Sequence, residues 1–388
     1  MALTTLVRTL LPLTSLFGVY SIFVFSRQNG FLDRVDQAVA AGKLPGTDEP
    51  LRTDLTGVAA LDQLLATLIT FFWTTIDGSA PATMLHGLNF AGALGGLWPI
   101  VLLEAARPGN KGFVVYPAIF GILTQLFTFG VMAPIYAAIH LATSRTLSAP
   151  SRATITPSPS SLTGVKLIPL ALLAGYLLPT LSLILPATTS GPLRSTQERI
   201  AFWQPWPLFL WILHATSTQL ANLFCSSSNP SNKATATKQT LSTLRPIYAL
   251  SFALIAIPHI VSYTLSITPL LAPALFDSSA AASLHPATVF LNTLPWSGAR
   301  TESLGQGALW FLQWDHLLGS GALLMWAVVL HVATHRSRGV KVGCLAFGVK
   351  VLALCAVSGV AGAAVELMWE RDEVVLAREE GEGEKKRR

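Results

Sequence analysis

Long apolar segments recur along this chain, and their length restricts the folds that it can adopt. About nine of them have the roughly 20 mostly apolar residues that an α-helix needs to cross a bilayer. They lie near 4–25, 55–73, 84–104, 113–141, 164–187, 203–224, 246–268, 309–333 and 342–366. The sequence therefore predicts an all-α fold, a polytopic transmembrane helical bundle of eight or nine spans.

The composition agrees with a membrane protein. Apolar residues make up 51% of the chain, charged residues 12%, and the mean hydropathy is +0.53, well to the apolar side of soluble proteins. The formal charge of +6 could suggest a nucleic-acid partner. Because the basic residues are scattered among short loops, we interpret them as residues flanking the membrane and expect no nucleic-acid binding.

The polar stretches between the apolar segments are too poor in apolar residues to form separate soluble domains. They cover 27–54, 143–163, 226–243 and 269–307, and we predict loops there. The fifth apolar segment contains Pro169, Pro179 and Pro186, so a kink or a re-entrant turn is expected. The predicted organisation is one membrane domain over 1–370 and a charged tail over 371–388.

Lys and Arg residues are more numerous on the side of the membrane that would hold the tail, which favours a cytosolic C-terminus. The chain ends Lys385-Lys386-Arg387-Arg388, which matches a dilysine retrieval signal of the endoplasmic reticulum. The alternative is a charged tail that only solvates the last helix.

Ionisable residues at membrane depth are costly and mark functional hypotheses. In the stretch 71–112, Asp77 and Glu104 bracket an apolar segment that carries Asn89. The helical rise places these two acids roughly 30–40 Å apart, too far to act on one atom unless the glycines between them break the helix. Glu104 could instead extend to the interface beside Arg107, and Asp77 could cap a turn.

A second polar group occurs in the apolar stretch 308–327. Gln313, Asp315 and His316 lie there beside Trp310 and Trp314, so an acid is surrounded by aromatic faces that stabilise positive charge. The alternative is that Asp315 and His316 only form hydrogen bonds with neighbouring helices. The order of the spans places Asp62, Glu104 and Asp315 toward the same leaflet.

The sequence lacks the motifs of several other kinds of binding site and enzyme. Three cysteines, Cys225, Cys344 and Cys355, do not form a disulfide framework or a zinc spacing. No aspartate-rich pair for a magnesium diphosphate lies in a span, and no phosphate loop, dinucleotide fingerprint or Gly-x-Ser-x-Gly is present. Acid-driven chemistry on a lipophilic substrate, or transport, remains.

Two motifs together carry a resemblance to a known family. FFWTTIDGSAP...GLNF...LWPIVLLEAARPGN, followed about two hundred residues later by FLQWDHLLGSGALLMWA, resembles the fungal membrane-bound terpene cyclases of the ascofuranone and macrophorin meroterpenoid pathways. The resemblance implies cyclisation of a farnesyl chain on a phenolic or cyclohexenone head group, started by protonation of a terminal epoxide or alkene. It implies no metal and no organic cofactor.

The residues support such chemistry independently. Protonation of an alkene requires a carboxylic acid that is protonated at neutral pH, as burial in apolar surroundings favours, and water must be excluded from the carbocation. The catalytic candidates are Asp315, Glu104, Asp77 and Asp62. The candidates for substrate contact are His316, Gln313, Trp314, Trp310, Asn89, Trp98 and Trp73.

We expect Asp315 and Glu104 to face one cavity, one as proton donor and the other orienting it. The expected partners are a lipophilic farnesylated substrate and membrane lipid. The alternative function is a membrane transporter or a scaffold for a lipophilic pathway intermediate, in which the same acids would gate or pair.

Overall fold

The computed structural model describes residues 2–185, 193, 195–224 and 233–385, and within these ranges it does not describe the side chains of 233–235 and 377–385. Cys225, Pro186 and residues 386–388 of the predicted retrieval signal lie outside the described residues. Within these ranges the fold is all-helical, with no strand and one isolated β-bridge between Lys43 and Pro50. The predicted fold class is confirmed.

Twelve helices of eight residues or more are present in the described part of the chain. They are α1 (Ala2–Gln28), α2 (Phe31–Ala41), α3 (Ala59–Trp73), α4 (Pro81–Ala105), α5 (Pro117–Phe127), α6 (Phe129–Thr143), α7 (Pro159–Ser182), α8 (Thr196–Trp203), α9 (Trp206–Phe224), α10 (Lys233–Leu271), α11 (Leu304–Ser337) and α12 (Cys344–Lys385).

Six of these helices are long and apolar enough to cross a bilayer. They are α1, α4, α7, α10, α11 and α12, while α3, α5 and α6 are apolar but shorter. The prediction of eight or nine spans is therefore not confirmed. The described helices are compatible with an integral membrane protein.

The segment expected to form one span at 113–141 is divided into two helices. Thr128 separates α5 from α6 with φ 70°, and it is the one residue other than glycine with positive φ in the described chain. A side chain is strained at positive φ, so the break is held by its surroundings. In the fifth predicted segment, α7 continues through Pro169 and Pro179 to Ser182, with a π-helical turn at Leu173–Leu177.

The central helix of the bundle is α4, which is mostly buried and packs along α10. A Cβ atom at Gly92 would lie 2.7 Å from the carbonyl oxygen of Leu254, and one at Gly96 would lie 2.4 Å from that of Ser251. Glycine at these positions therefore permits the close approach of the two helices. α4 is unbroken from Pro81 to Ala105, so its glycines do not bring Asp77 and Glu104 together.

The connectors that the sequence predicted as loops also contain helices. The first contains α2, whose Phe31 and Val35 are buried against α11. The last contains two short helices, Ser278–Leu284 and Pro286–Phe290, which pack on α4 and α10. Apolar residues within polar stretches thus complete the bundle.

The C-terminal helix continues through the predicted boundary between membrane domain and tail. α12 extends from Cys344 to Lys385, with one non-helical residue at Gly359. Arg371 and Asp372, which the sequence assigned to the tail, are buried at 0% and 1% exposure. The reason is an ion cluster with α4, described below.

Candidate active site

An apolar cavity of about 800 Å³ lies between α4 and α11, with further walls from α2, α3 and the α5–α6 junction. This volume is within the range of about 300–1,000 Å³ typical of small-molecule pockets. Ten aromatic side chains line it, namely Phe23, Phe31, Phe71, Phe72, Phe90, Phe129, Phe276, Phe311, Trp203 and Trp206.

Asp315 lies in the wall of this cavity. Among the lining residues that the structure describes, it is the one with an ionisable side chain. It is 6% exposed, and it projects from the middle of α11. The cavity thus combines aromatic walls with a single carboxyl group.

The carboxyl group of Asp315 is held by the first turn of α6. Its Oδ1 accepts a hydrogen bond from the backbone N–H of Gly130, one of the helix N-terminal donors that lack an intrahelical acceptor. A Cβ atom at Gly130 would lie 3.1 Å from the Asp315 Cα. The break at Thr128 starts α6 at the level of Asp315, and the glycine lets the two helices approach.

The predicted contact residues near Asp315 surround the cavity without lining it. The ring of His316 stacks on that of Phe90, with centroids 4.9 Å apart, and Phe90 lines the cavity. Gln313 points away and donates to the carbonyl oxygens of Thr288 and Val289, at 3.0 Å each.

The two tryptophans of the same segment face other neighbours. Trp310 stacks on Phe25 at 5.9 Å, and the Nε1 of Trp314 donates to the carbonyl oxygen of Thr293 at 3.0 Å. They anchor α11 to the N-terminal helix and to the preceding connector.

The remaining predicted contact residues do not line the cavity either. Trp98 packs edge-on against the lining residue Trp206, at 4.7 Å between ring centroids, and so forms a second layer. Trp73 donates to the carbonyl oxygen of Pro45 at 3.2 Å, and Asn89 is buried in α4.

Two of the predicted catalytic acids have local roles. Asp62 accepts hydrogen bonds from the backbone N–H groups of Thr56 and Gly57, at 2.7 and 3.0 Å, in the loop before α3. Asp77 is exposed and accepts from the N–H and the hydroxyl of Ser79, at 3.0 and 2.8 Å. Neither lines the cavity. For Asp77 this is the turn role that the sequence analysis kept as an alternative.

Glu104 also lies away from the cavity. It is about 15 Å further along the axis of α4 than Leu94, the last α4 residue in the cavity wall. Its Oε1 pairs with Arg107 at 2.8 Å and with Arg371 at 2.7 Å. Its Oε2 accepts from Asn110 at 2.8 Å and lies 3.1 Å from the Nε2 of His140. The expectation that Glu104 and Asp315 share one cavity is therefore wrong, because two arginines hold Glu104 elsewhere.

Asp372 completes this cluster of buried charges. Its Oδ2 pairs with Arg107 at 2.5 Å and accepts from the hydroxyl of Tyr248 at 2.8 Å, while Oδ1 pairs with Arg371 at 2.9 Å. Burial disfavours the charge on Arg107, but the carboxylates of Asp372 and Glu104 outweigh it and raise the pKa of the guanidinium. The charges of two carboxylates and two guanidiniums thus balance, and the cluster joins α4, α10 and α12.

Comparison with known proteins assigns the chain to a family. A family profile described as the CtvD domain matches residues 7–376. The chain belongs to the CtvD-domain family. The resemblance to fungal terpene cyclases drawn from the two motifs is thereby confirmed, because relatives of this CtvD-domain protein carry that name.

The alignments with three of these relatives cover most of both proteins. Terpene cyclase ctvD of Aspergillus terreus is 33% identical over 367 residues, 92% of this chain and 97% of that protein. Terpene cyclase ascI of Acremonium egyptiacum is 32% identical, covering 85% and 82%. Terpene cyclase penA of Penicillium crustosum is 30% identical, covering 82% and 83%. No solved structure matches this CtvD-domain chain.

Sequence reasoning missed two parts of this CtvD-domain structure. It treated Arg371 and Asp372 as tail, although apolar residues lie on both sides of them, at Leu367–Trp369 and at Val374–Leu376, and they could have been recognised as partners for Glu104 and Arg107. It also missed the aromatic wall, since Phe31 and Phe276 lie in connectors read as loops. Phe31, Val35 and Val39 recur at helical spacing, which could have indicated an amphipathic helix in the first connector, whereas no helix is present at Phe276.

Proposed function

We propose that this CtvD-domain protein is a membrane-embedded terpene cyclase in which Asp315 is the acid that starts the reaction. The family relatives are named terpene cyclases. The observation that carries the residue assignment is the presence of one carboxyl group, that of Asp315, in the wall of a large aromatic cavity.

The proposed substrate is a farnesyl chain attached to a phenolic or cyclohexenone head group, as in meroterpenoid biosynthesis. The apolar lining supports a hydrocarbon ligand, and a cavity of about 800 Å³ is large enough for a drug-sized molecule. The ring head and the prenyl tail would both be lipophilic, so the substrate would partition into the bilayer that surrounds the long apolar helices.

The proposed reaction conserves atoms. The protonated carboxyl of Asp315 transfers its proton to the oxygen of a terminal epoxide, or to a carbon of a terminal alkene, and a tertiary carbocation forms. Neighbouring double bonds attack this centre in turn and close the rings. Loss of one proton from the final cation, to the carboxylate or to another base, gives a product isomeric with the substrate.

Two properties of the wall support this chemistry. Aromatic faces attract positive charge, by about 0.5–2 kcal/mol for each good contact, and ten aromatic residues line the cavity. An apolar wall also excludes water, which would otherwise capture the cation before the rings close. Gly130 and the start of α6 hold the acid in one orientation.

The test is conversion in isolated microsomes that contain the protein. Farnesyl-phenol substrates with and without a terminal epoxide are incubated, and cyclic products of unchanged mass are sought by chromatography and mass spectrometry. Conversion of one class supports the proposal and identifies whether the epoxide or the alkene is protonated. Tight binding of both classes without conversion would contradict it and favour the transporter or scaffold alternative.

A location in the endoplasmic reticulum is part of the same proposal. It rests on the basic end of the chain, Lys385-Lys386-Arg387-Arg388. Replacement of both lysines by serine should move a tagged protein out of that compartment in fluorescence microscopy. An unchanged distribution would show that the tail only solvates the last helix.

A further inference from the structure

Gly87 differs from the other glycines of α4 in its surroundings. A Cβ atom added at Gly92, Gly95 or Gly96 would lie 2.7, 2.5 or 2.3 Å from a neighbouring atom. A Cβ atom added at Gly87 would meet nothing within 4 Å, and Gly87 lines the cavity. Close packing explains the first three glycines and does not explain Gly87.

Backbone geometry does not require glycine at this position either. Gly87 lies in the interior of α4 and is not among the residues with positive φ. Glycine in the middle of a helix is less favourable than alanine because it loses more backbone entropy on folding. The remaining role of Gly87 is to leave space in the cavity.

This space lies close to the proposed acid. Phe90 lies one turn beyond Gly87 on the same face of α4 and also lines the cavity. Its ring stacks on that of His316, the residue that follows Asp315, with centroids 4.9 Å apart. Gly87 and Asp315 therefore occupy neighbouring parts of the same wall, on facing helices α4 and α11. The end of the prenyl chain that receives the proton must lie in this part of the cavity.

We propose that Gly87 is a specificity-determining residue that makes room for the terminal isoprene unit of the substrate beside Asp315. The proposal rests on the proposed cyclase function. A side chain at position 87 would fill this room and exclude a full-length farnesyl chain, while a chain one isoprene unit shorter would still fit.

The experiment compares Gly87→Ala, Gly87→Val and Gly87→Leu with wild type. Gly321→Leu is the matched control, because Gly321 also lies inside a helix, has no atom within 4 Å of its added Cβ and does not line the cavity. The measurements are the melting temperature, kcat/KM for farnesyl and geranyl substrates, and Kd for a hydrogenated, unreactive farnesyl-phenol and its geranyl counterpart.

We expect kcat/KM for the farnesyl substrate to fall with side-chain size, by at least about 10-fold for Gly87→Leu, since a single excess methylene group typically costs about 10-fold to 200-fold in an apolar pocket. Binding of the unreactive farnesyl compound should weaken in parallel, and binding of the geranyl compound should not. The melting temperature should equal or exceed that of wild type, and Gly321→Leu should behave as wild type.

Two outcomes separate this proposal from the proposed function. Wild-type turnover and farnesyl binding in a folded Gly87→Leu variant would overturn the role of Gly87 and leave the cyclase proposal intact. If wild type converts no substrate, the cyclase proposal fails, and the Kd values for the two unreactive compounds still decide whether Gly87 sets the chain length. Unfolding of Gly87→Ala would also contradict the proposal, since it would mean that glycine is required for structure.

Discussion

The backbone N–H of Gly130 donates a hydrogen bond to the carboxyl group of Asp315, across 185 residues of sequence. The bond ties the start of α6 to the middle of α11 at the wall of the cavity. It fixes one oxygen of the carboxyl group, so the rotation of that group is limited before any substrate binds. Such preorganisation favours proton transfer in one direction.

Replacement of Asp315 by asparagine should abolish cyclisation in a folded protein. The amide keeps the shape of the side chain and an acceptor oxygen for Gly130 but has no carboxyl proton, and loss of a general acid typically costs about 10²-fold to 10⁴-fold in rate. Product formation per mole of protein, with melting temperature as the check on folding, measures this. Near wild-type rates in Asp315→Asn would mean that the proton comes from another group.

Replacement of Gly130 by alanine should reduce both stability and activity. The added methyl group would lie 3.0 Å from the end of the Ile22 side chain and 3.1 Å from the Cα of Asp315, so both neighbours must shift by a few tenths of an ångström, at a cost of about 1–3 kcal/mol. Thermal unfolding in detergent and kcat measure the two effects. Gly321→Ala is the control, and equal behaviour of the two variants would contradict the close approach.

Replacement of Glu104 by glutamine should destabilise the protein rather than remove its chemistry. Arg107 and Arg371 would lose a buried anionic partner, and breaking a buried ion pair typically costs about 3–5 kcal/mol. We expect a lower melting temperature and less folded protein, with kcat per folded molecule close to wild type.

Glu302→Gln, at an exposed position before α11, is the matched control for charge removal. A stable Glu104→Gln variant without activity would contradict this role and restore Glu104 as a candidate acid. The comparison therefore separates a structural from a catalytic function.

Cyclisation should continue in the presence of a metal chelator. No group of three or more His, Cys, Asp or Glu side chains that could hold a metal ion occurs in the described parts of the chain, and the proposed acid needs no Lewis-acid partner. Turnover in microsomes with and without EDTA measures this. Activity that is lost in chelator and restored by Mg²⁺ would contradict the proposal.

The helices with strong apolar patterns could be predicted from the sequence. The segment expected at 84–104 is α4 (Pro81–Ala105), and the one expected at 309–333 lies within α11 (Leu304–Ser337). Asp315 could also be singled out, because an acid between tryptophans in an apolar run is costly unless it has a use. These inferences depend only on local sequence.

Features that depend on distant contacts could not be predicted in this way. The strained Thr128 divides a segment that is long and apolar enough to be one span, and its conformation is set by surrounding helices rather than by its own type. The pairing of Glu104 with Arg371 joins residues that are 267 positions apart. Hydropathy counts cannot identify which charged residues will form ion pairs in the folded protein.

The buried cluster of charges also has a consequence for biosynthesis. Glu104 leaves the ribosome 267 residues before Arg371, which is roughly 15–50 s earlier at about 5–20 residues per second. During that interval Glu104 and Arg107 have each other as partners but lack Arg371 and Asp372, the partners that the C-terminal helix supplies. A chain that stops before α12 never gains these two partners, so the cluster of charges can be completed only when synthesis is almost finished.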